Sequence, residues 1–158
     1  MVDSSPSATP EVELIIQFID EMTRGRSRLT SVIARVQQEA LYKGLAATVL
    51  TAVVRAGDPP TVPQIGRSLG MPRQTIQRHV DQLVTDGMVR LVHNPDHKRA
   101  MRLEPTDAGR ACYARSNDAT KLWAAGFVEG MDREALAKTV ATMREIRKKL
   151  ETEARQQD

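Results

Sequence analysis

Apolar side chains recur at helical spacing through most of the chain, and the interruptions mark where it turns. Leu14, Ile15, Phe18, Ile19 and Met22 form one stripe, and Leu29, Val32, Ile33, Val36 and Ala40 form another. Steps of three and four residues belong to an amphipathic helix. Gly25 stands between the stripes, so residues 11–40 predict one long helix with a weak point or two helices in series. Residues 1–10, with Ser4, Ser5, Pro6, Ser7 and Pro10, read as a flexible leader. Leu45, Val49, Leu50 and Val53 predict a further helix over residues 43–55, stopped by Gly57-Asp58-Pro59-Pro60.

The next stretch carries more information. Thr61 can cap a short helix, Pro63 is tolerated in its first turn, and Ile65 and Leu69 share one face. Gly70 permits a tight exit, and Pro72 opens another helix that closes at Asp86-Gly87. Two short helices around a glycine-containing turn form a helix-turn-helix pattern. At ~100° per residue, Ile76, Val80, Leu83 and Val84 gather on one side of the second helix. Gln74, Thr75, Arg78, Asp81 and Gln82 gather on the other. Amide, hydroxyl and guanidinium groups are those that hydrogen-bond base edges in a major groove. An ordinary amphipathic surface helix is also polar outside, so the neighbouring elements decide between the two.

Residues 88–92 and 100–104 alternate loosely between apolar and polar positions around the tip His93-Asn94-Pro95-Asp96-His97-Lys98-Arg99. Asn, Pro and Asp supply turn chemistry, which predicts a β-hairpin. With Lys98 and Arg99 at its tip, the ribbon is suited to phosphates or a minor groove. Following a helix-turn-helix, it reads as a wing.

Thr106 can cap a long helix over residues 106–130, bearing Ala108, Ala111, Cys112, Ala119, Leu122, Trp123 and Phe127. A last helix starts at Asp132, with Leu136, Val140, Met143, Arg147 and Leu150 in 4-3-4-3 spacing. Two or three heptads are too few for a free coiled coil, so this stripe packs on its own core or on a partner chain.

At 158 residues the chain is long enough for one compact unit. Charge is unevenly placed. Residues 1–20 hold four acids and no Lys or Arg, whereas residues 61–106 hold seven basic side chains against four acids. All three histidines fall in that basic segment and none of the five aromatics does. Basic charge points to nucleic acid, and the lack of rings argues against single-strand stacking platforms. Duplex DNA fits better.

Other classes recede. No apolar run approaches the ~20 residues that span a bilayer. The first residues lack the basic and apolar regions of a secretory signal, so a cytoplasmic protein is expected. Cys112 is the sole cysteine; it has no disulfide partner within the chain, and its apolar position predicts an inert core thiol. His93 and His97 sit on a hairpin tip without a third strong ligand nearby in sequence, so no metal site is expected. No nucleophile–base pair, phosphate-cradling glycine loop or carboxylate pair stands out, so neither an enzyme nor a cofactor is expected.

The order helix, helix, helix-turn-helix, basic wing and two long helices resembles the MarR family of bacterial transcription regulators over residues 11–155. Thr75-Ile76-Gln77-Arg78-His79-Val80-Asp81-Gln82-Leu83 with Asp86-Gly87-Met88-Val89 is similar to the family's recognition helix and its exit. Asp96, Lys98 and Arg99 look like its wing motif, and residues 106–109 resemble the segment opening its fifth helix. The fold class expected is therefore mainly α with a small β-hairpin wing. It would comprise an N-terminal dimerisation helix (11–40), a winged helix-turn-helix lobe (41–106) and C-terminal dimerisation helices (107–158).

The resemblance implies a homodimer, a pseudo-palindromic operator and repression of nearby genes. Within it, Gln74, Thr75 and Arg78 would read bases, with Gln82 on the same face. Arg73 and Gln77 would lie near phosphates, and Lys98 and Arg99 would anchor the wing. The family often takes a small aromatic or phenolic effector between the dimerisation helices and the DNA lobe. Phe18, Tyr42, Tyr113, Trp123 and Phe127 lie in segments that would line such a cleft, and core packing accounts for them equally well. The rival reading is a winged helix used only to bind protein, which would present apolar anchors where this chain has Gln74, Thr75, Arg78 and Gln82.

Overall fold

The structure, a computed structural model, describes residues 9–37, 41–96 and 100–156. Its elements run α1(Pro10–Val36), α2(Gly44–Arg55), α3(Val62–Leu69), α4(Arg73–Thr85), β1(Val89–Val92), β2(Arg102–Pro105), α5(Asp107–Phe127) and α6(Arg133–Gln156). This is the mainly helical winged-helix architecture expected, with a two-stranded hairpin. Among the described residues, no helix is long and apolar enough to cross a membrane. The chain divides into two compact units, residues 1–38 and 39–158.

The first unit is α1, a single helix of 27 residues. Pro10 stands in its first turn and Glu11 and Glu13 follow, where proline and negative charge favour a helix start. Gly25 does not break it, because one glycine costs only ~1 kcal/mol against a long run of helix formers. None of its residues is buried; Leu14 is 64% exposed and Ile19 57%.

The second unit has one core. Val49, Leu50 and Val53 of α2 pack with Ile65 of α3 and with Ile76, Val80 and Leu83 of α4. Val89 and Leu103 of the hairpin and Cys112 of α5 close it, and Cys112 is buried as its apolar setting predicts. The strands pair antiparallel with Val89 opposite Pro105 and Val92 opposite Arg102. The hairpin is tied to the start of α3, since Leu103 donates its N–H to the Pro60 carbonyl at 2.8 Å. Gln64 secures that start, its side-chain oxygen accepting from both the amide and the hydroxyl of Thr61. Thr106 caps α5 by accepting from Gly109 N–H at 3.1 Å. In α6 the Asp132 carboxylate accepts from the Glu134 and Ala135 amides, and the stripe Leu136, Val140 and Met143 stays exposed.

Candidate nucleic-acid interface

Helix α4 is anchored by its apolar face, which determines what the opposite face presents. Ile76, Val80 and Leu83 are at most 1% exposed. Gly70, at φ +62°, makes the left-handed exit from α3 that lets α4 start three residues later. The outward side chains Gln74, Gln77, Arg78, Asp81, Gln82 and Thr85 line a shallow, solvent-open concavity of about 460 Å³. Thr75, on the same helix, is half-buried.

These side chains are not equivalent. Gln77 Nε2 donates to Asp81 Oδ1 at 2.8 Å, and Gln82 Nε2 donates to Asp86 Oδ2 at 2.8 Å. Both amides are thus tethered four residues along the helix, the spacing that puts side chains one turn apart. Arg73 and Arg78 are exposed and make no hydrogen bond or ion pair among the described residues. Among the described residues, the free donors on the exposed face of this helix therefore include the two guanidinium groups and the Gln74 amide.

The hairpin is braced internally. Asn94 is 6% exposed, and its Oδ1 accepts from the Asp96 amide at 3.0 Å and from Arg102 Nε at 3.1 Å. Arg102 Nη2 also meets Asp96 Oδ2 at 2.5 Å. One arginine on the returning strand thus fixes the Asn94-Pro95-Asp96 turn. Across the strands, Arg90 bonds Glu104 Oε2 through Nε and Nη2 at 3.0 and 2.7 Å. Of the expected tip, residues 93–99, His97, Lys98 and Arg99 lie outside the described residues. Sequence reasoning had not singled out Arg102 or Asn94 as functional; the signal was an Asn-Pro-Asp turn followed at fixed distance by an arginine on the partner strand.

The aromatic residues fall in different surroundings. Tyr42 is 8% exposed in the core, and its hydroxyl donates to Asp86 Oδ2 at 2.6 Å. Burial, reinforced by that carboxylate, pushes the phenol well above its ordinary pKa. The bonds from Gln82 and Tyr42 hold Asp86 below the usual carboxylate range. Tyr113, half-buried on α5, reaches Asn117 at 3.4 Å. Trp123 and Phe127 stack with ring centroids 4.9 Å apart, Phe127 being 62% exposed. Phe18 is half-buried on α1, in the first unit.

Residues 42–100 match the model of the MarR family. Two curated relatives, uncharacterized proteins of Mycobacterium bovis and Mycobacterium tuberculosis, are 48% identical over 50 residues, 32% of this chain and 35% of theirs. The matched stretch spans about a third of the length of those relatives. Among solved structures, a MarR-family transcriptional regulator from Rhodococcus sp. RHA1 superposes with a TM-score of 0.72 at 15% identity, over 88% of this chain and 96% of that one. CouR from Rhodococcus jostii RHA1, solved bound to p-coumaroyl-CoA, superposes with a TM-score of 0.73 at 16% identity, over 84% and 91%. At such identities the likeness is one of fold.

Proposed function

This chain carries the winged helix of the MarR family, and from that premise we propose that it is a homodimeric, sequence-specific regulator that binds duplex DNA and represses nearby genes. The observation that carries the reading is the outer face of α4, where exposed Arg73, Gln74 and Arg78 stand free beside half-buried Thr75. Arg78 presents a guanidinium fork to guanine O6 and N7, and Gln74 and Thr75 present groups suited to neighbouring base edges. Arg73, at the helix start, meets phosphate, with Gln77 beside it. Lys98 and Arg99 anchor the wing. Gln82 borders the same concavity while holding Asp86. No apolar anchor lies on this face, which argues against a module used only to bind protein.

The partner in assembly is a second copy. Along α1, Leu14, Ile15, Ile19 and Met22 are 41–64% exposed, and along α6 Leu136, Val140, Met143 and Leu150 are 37–60% exposed. Stripes of that extent are stable in water when another surface covers them, and an isologous interface covers both copies at once. Two winged helices related by a two-fold axis read half-sites about one turn, roughly 34–36 Å, apart. An aromatic or phenolic effector, seated by Tyr113 and the Trp123–Phe127 pair, with Tyr42 as a further expected contact, relieves binding. Of these rings, Tyr42 is the one seated in the core.

Footprinting on a duplex selected by the protein from a randomised pool tests the reading. Two protected half-sites about one turn apart are expected; protection of one unpaired site, or none, overturns it. Phenolic ligands are expected to change the fluorescence of Trp123, the sole tryptophan, and silence across a broad panel removes the effector.

A further inference from the structure

The end of α4 carries a charge that helix energetics alone does not favour. Asp86 is the C-cap residue, and a carboxylate there faces the negative end of the helix dipole, where cations are preferred. Its Oδ2 accepts two hydrogen bonds, from the Tyr42 hydroxyl at 2.6 Å and from Gln82 Nε2 at 2.8 Å. Tyr42 stands 44 positions earlier in sequence, immediately ahead of the N-cap of α2, with its ring in the core. A buried tyrosine hydroxyl without a partner is costly, so the carboxylate is what allows a phenol at that position. The bond therefore ties the start of α2 to the end of α4.

The same turn is held from α5. The Thr106 hydroxyl donates to the Gly87 carbonyl at 2.7 Å, and the Thr106 amide donates to the Met88 carbonyl at 3.0 Å. The first wing strand begins at the next residue, Val89. Residues 86–88 thus determine how the wing leaves the recognition helix, and both α2 and α5 grip them.

We infer that Tyr42 is a positioning residue for DNA recognition, holding α4 and the wing, through Asp86, in the one arrangement that engages a single duplex. Gln82 shares the same carboxylate oxygen and acts through it. The inference rests on the DNA-reading function proposed above and deepens it, by assigning to the lobe's own core a control over specificity that no base-contacting side chain supplies.

The test uses the full chain, a duplex selected by the unsubstituted protein from a randomised pool, and its scrambled counterpart. Tyr42→Phe keeps the ring's packing and removes only the donor. Binding to the selected duplex is expected to weaken about fivefold, the value of roughly one net hydrogen bond. Binding to the scrambled duplex and the salt slope stay unchanged, because no phosphate contact is touched. Asp86→Ala reproduces the loss, whereas Asp86→Asn, which retains an acceptor oxygen, restores most of the affinity. The double substitution Tyr42→Phe with Asp86→Ala falls no further than Asp86→Ala alone, as coupled partners require. Partial unfolding would lower binding to both duplexes in parallel, so the ratio between them separates positioning from instability. Undiminished discrimination by Tyr42→Phe, or a parallel loss on both duplexes, overturns the inference and leaves DNA recognition standing. An unsubstituted protein that selects no duplex overturns both.

Discussion

Replacing Gly109 by alanine should destabilise the protein, against the ordinary gain from alanine in a helix. A Cβ built there falls 2.0 Å from the Met88 carbonyl oxygen and 3.0 Å from its carbon. Ordinary carbon–oxygen contacts lie near 3.3–3.6 Å, so the first turn of α5 must move by more than ~1 Å. That shift breaks the Thr106 bonds to the Gly87 and Met88 carbonyls and disturbs the Thr106–Gly109 cap. Two hydrogen bonds and a cap at ~1 kcal/mol each give ~3 kcal/mol. Subtracting ~1 kcal/mol for the better helix propensity of alanine leaves about 2 kcal/mol of destabilisation. For a chain of this size that lowers Tm by roughly 4–8 °C. Gly126 is the internal control, being on the same helix with nothing within 4 Å of its built Cβ. Gly126→Ala should gain up to ~1 kcal/mol. Thermal unfolding followed by circular dichroism, at equal protein concentration, reads both. A Gly109→Ala protein as stable as Gly126→Ala refutes the close-approach argument.

Arg78→Ala should cost ~1–3 kcal/mol on the selected duplex and relax one operator position, read by repeating the selection with the variant. Lys98→Ala should weaken selected and scrambled duplexes alike and reduce the salt slope by about one, read by anisotropy. Arg102→Ala removes one of the two donors to Asn94 Oδ1 and the ion-pair partner of Asp96; it should speed protease cleavage within residues 93–101 and leave the rest of the lobe intact, read by limited proteolysis with mass spectrometry. Asp86 has its folded pKa depressed, so its contribution to stability is full above the unfolded carboxylate's pKa and is lost as pH falls through the folded one. Asp86→Asn should therefore flatten the acid limb of the stability profile, and an unchanged limb would contradict that linkage.

Much of this architecture is legible in local pattern. The spacing of Ile76, Val80 and Leu83 predicts the buried face of α4, and the Asp86-Gly87 stop predicts its end within a residue or two. Gly25 left one helix or two open, because a single glycine is a small cost whose outcome depends on what flanks it; α1 is continuous. The tethering of Gln77 to Asp81 and of Gln82 to Asp86 follows i, i+4 spacing and was readable from the sequence. The Tyr42–Asp86 bond was not, since partners 44 positions apart leave no periodic trace and appear only when α2 packs against α4. The role of Arg102 was hidden similarly, across a hairpin whose register decides which side chains face the turn. Gly109 carries no periodic signal of its close approach, and only the Met88 carbonyl shows why a side chain is excluded there.

The proposed function stands or falls with sequence reading by the outer face of α4 in duplex DNA. Fluorescence anisotropy across a salt series tests it most directly, using the duplex immediately upstream of the protein's own coding sequence and a scrambled version. Tighter binding to the upstream duplex is expected at physiological salt, with affinity falling by a slope of about 0.9 per phosphate contacted. Equal, weak and salt-insensitive binding to both duplexes would contradict it.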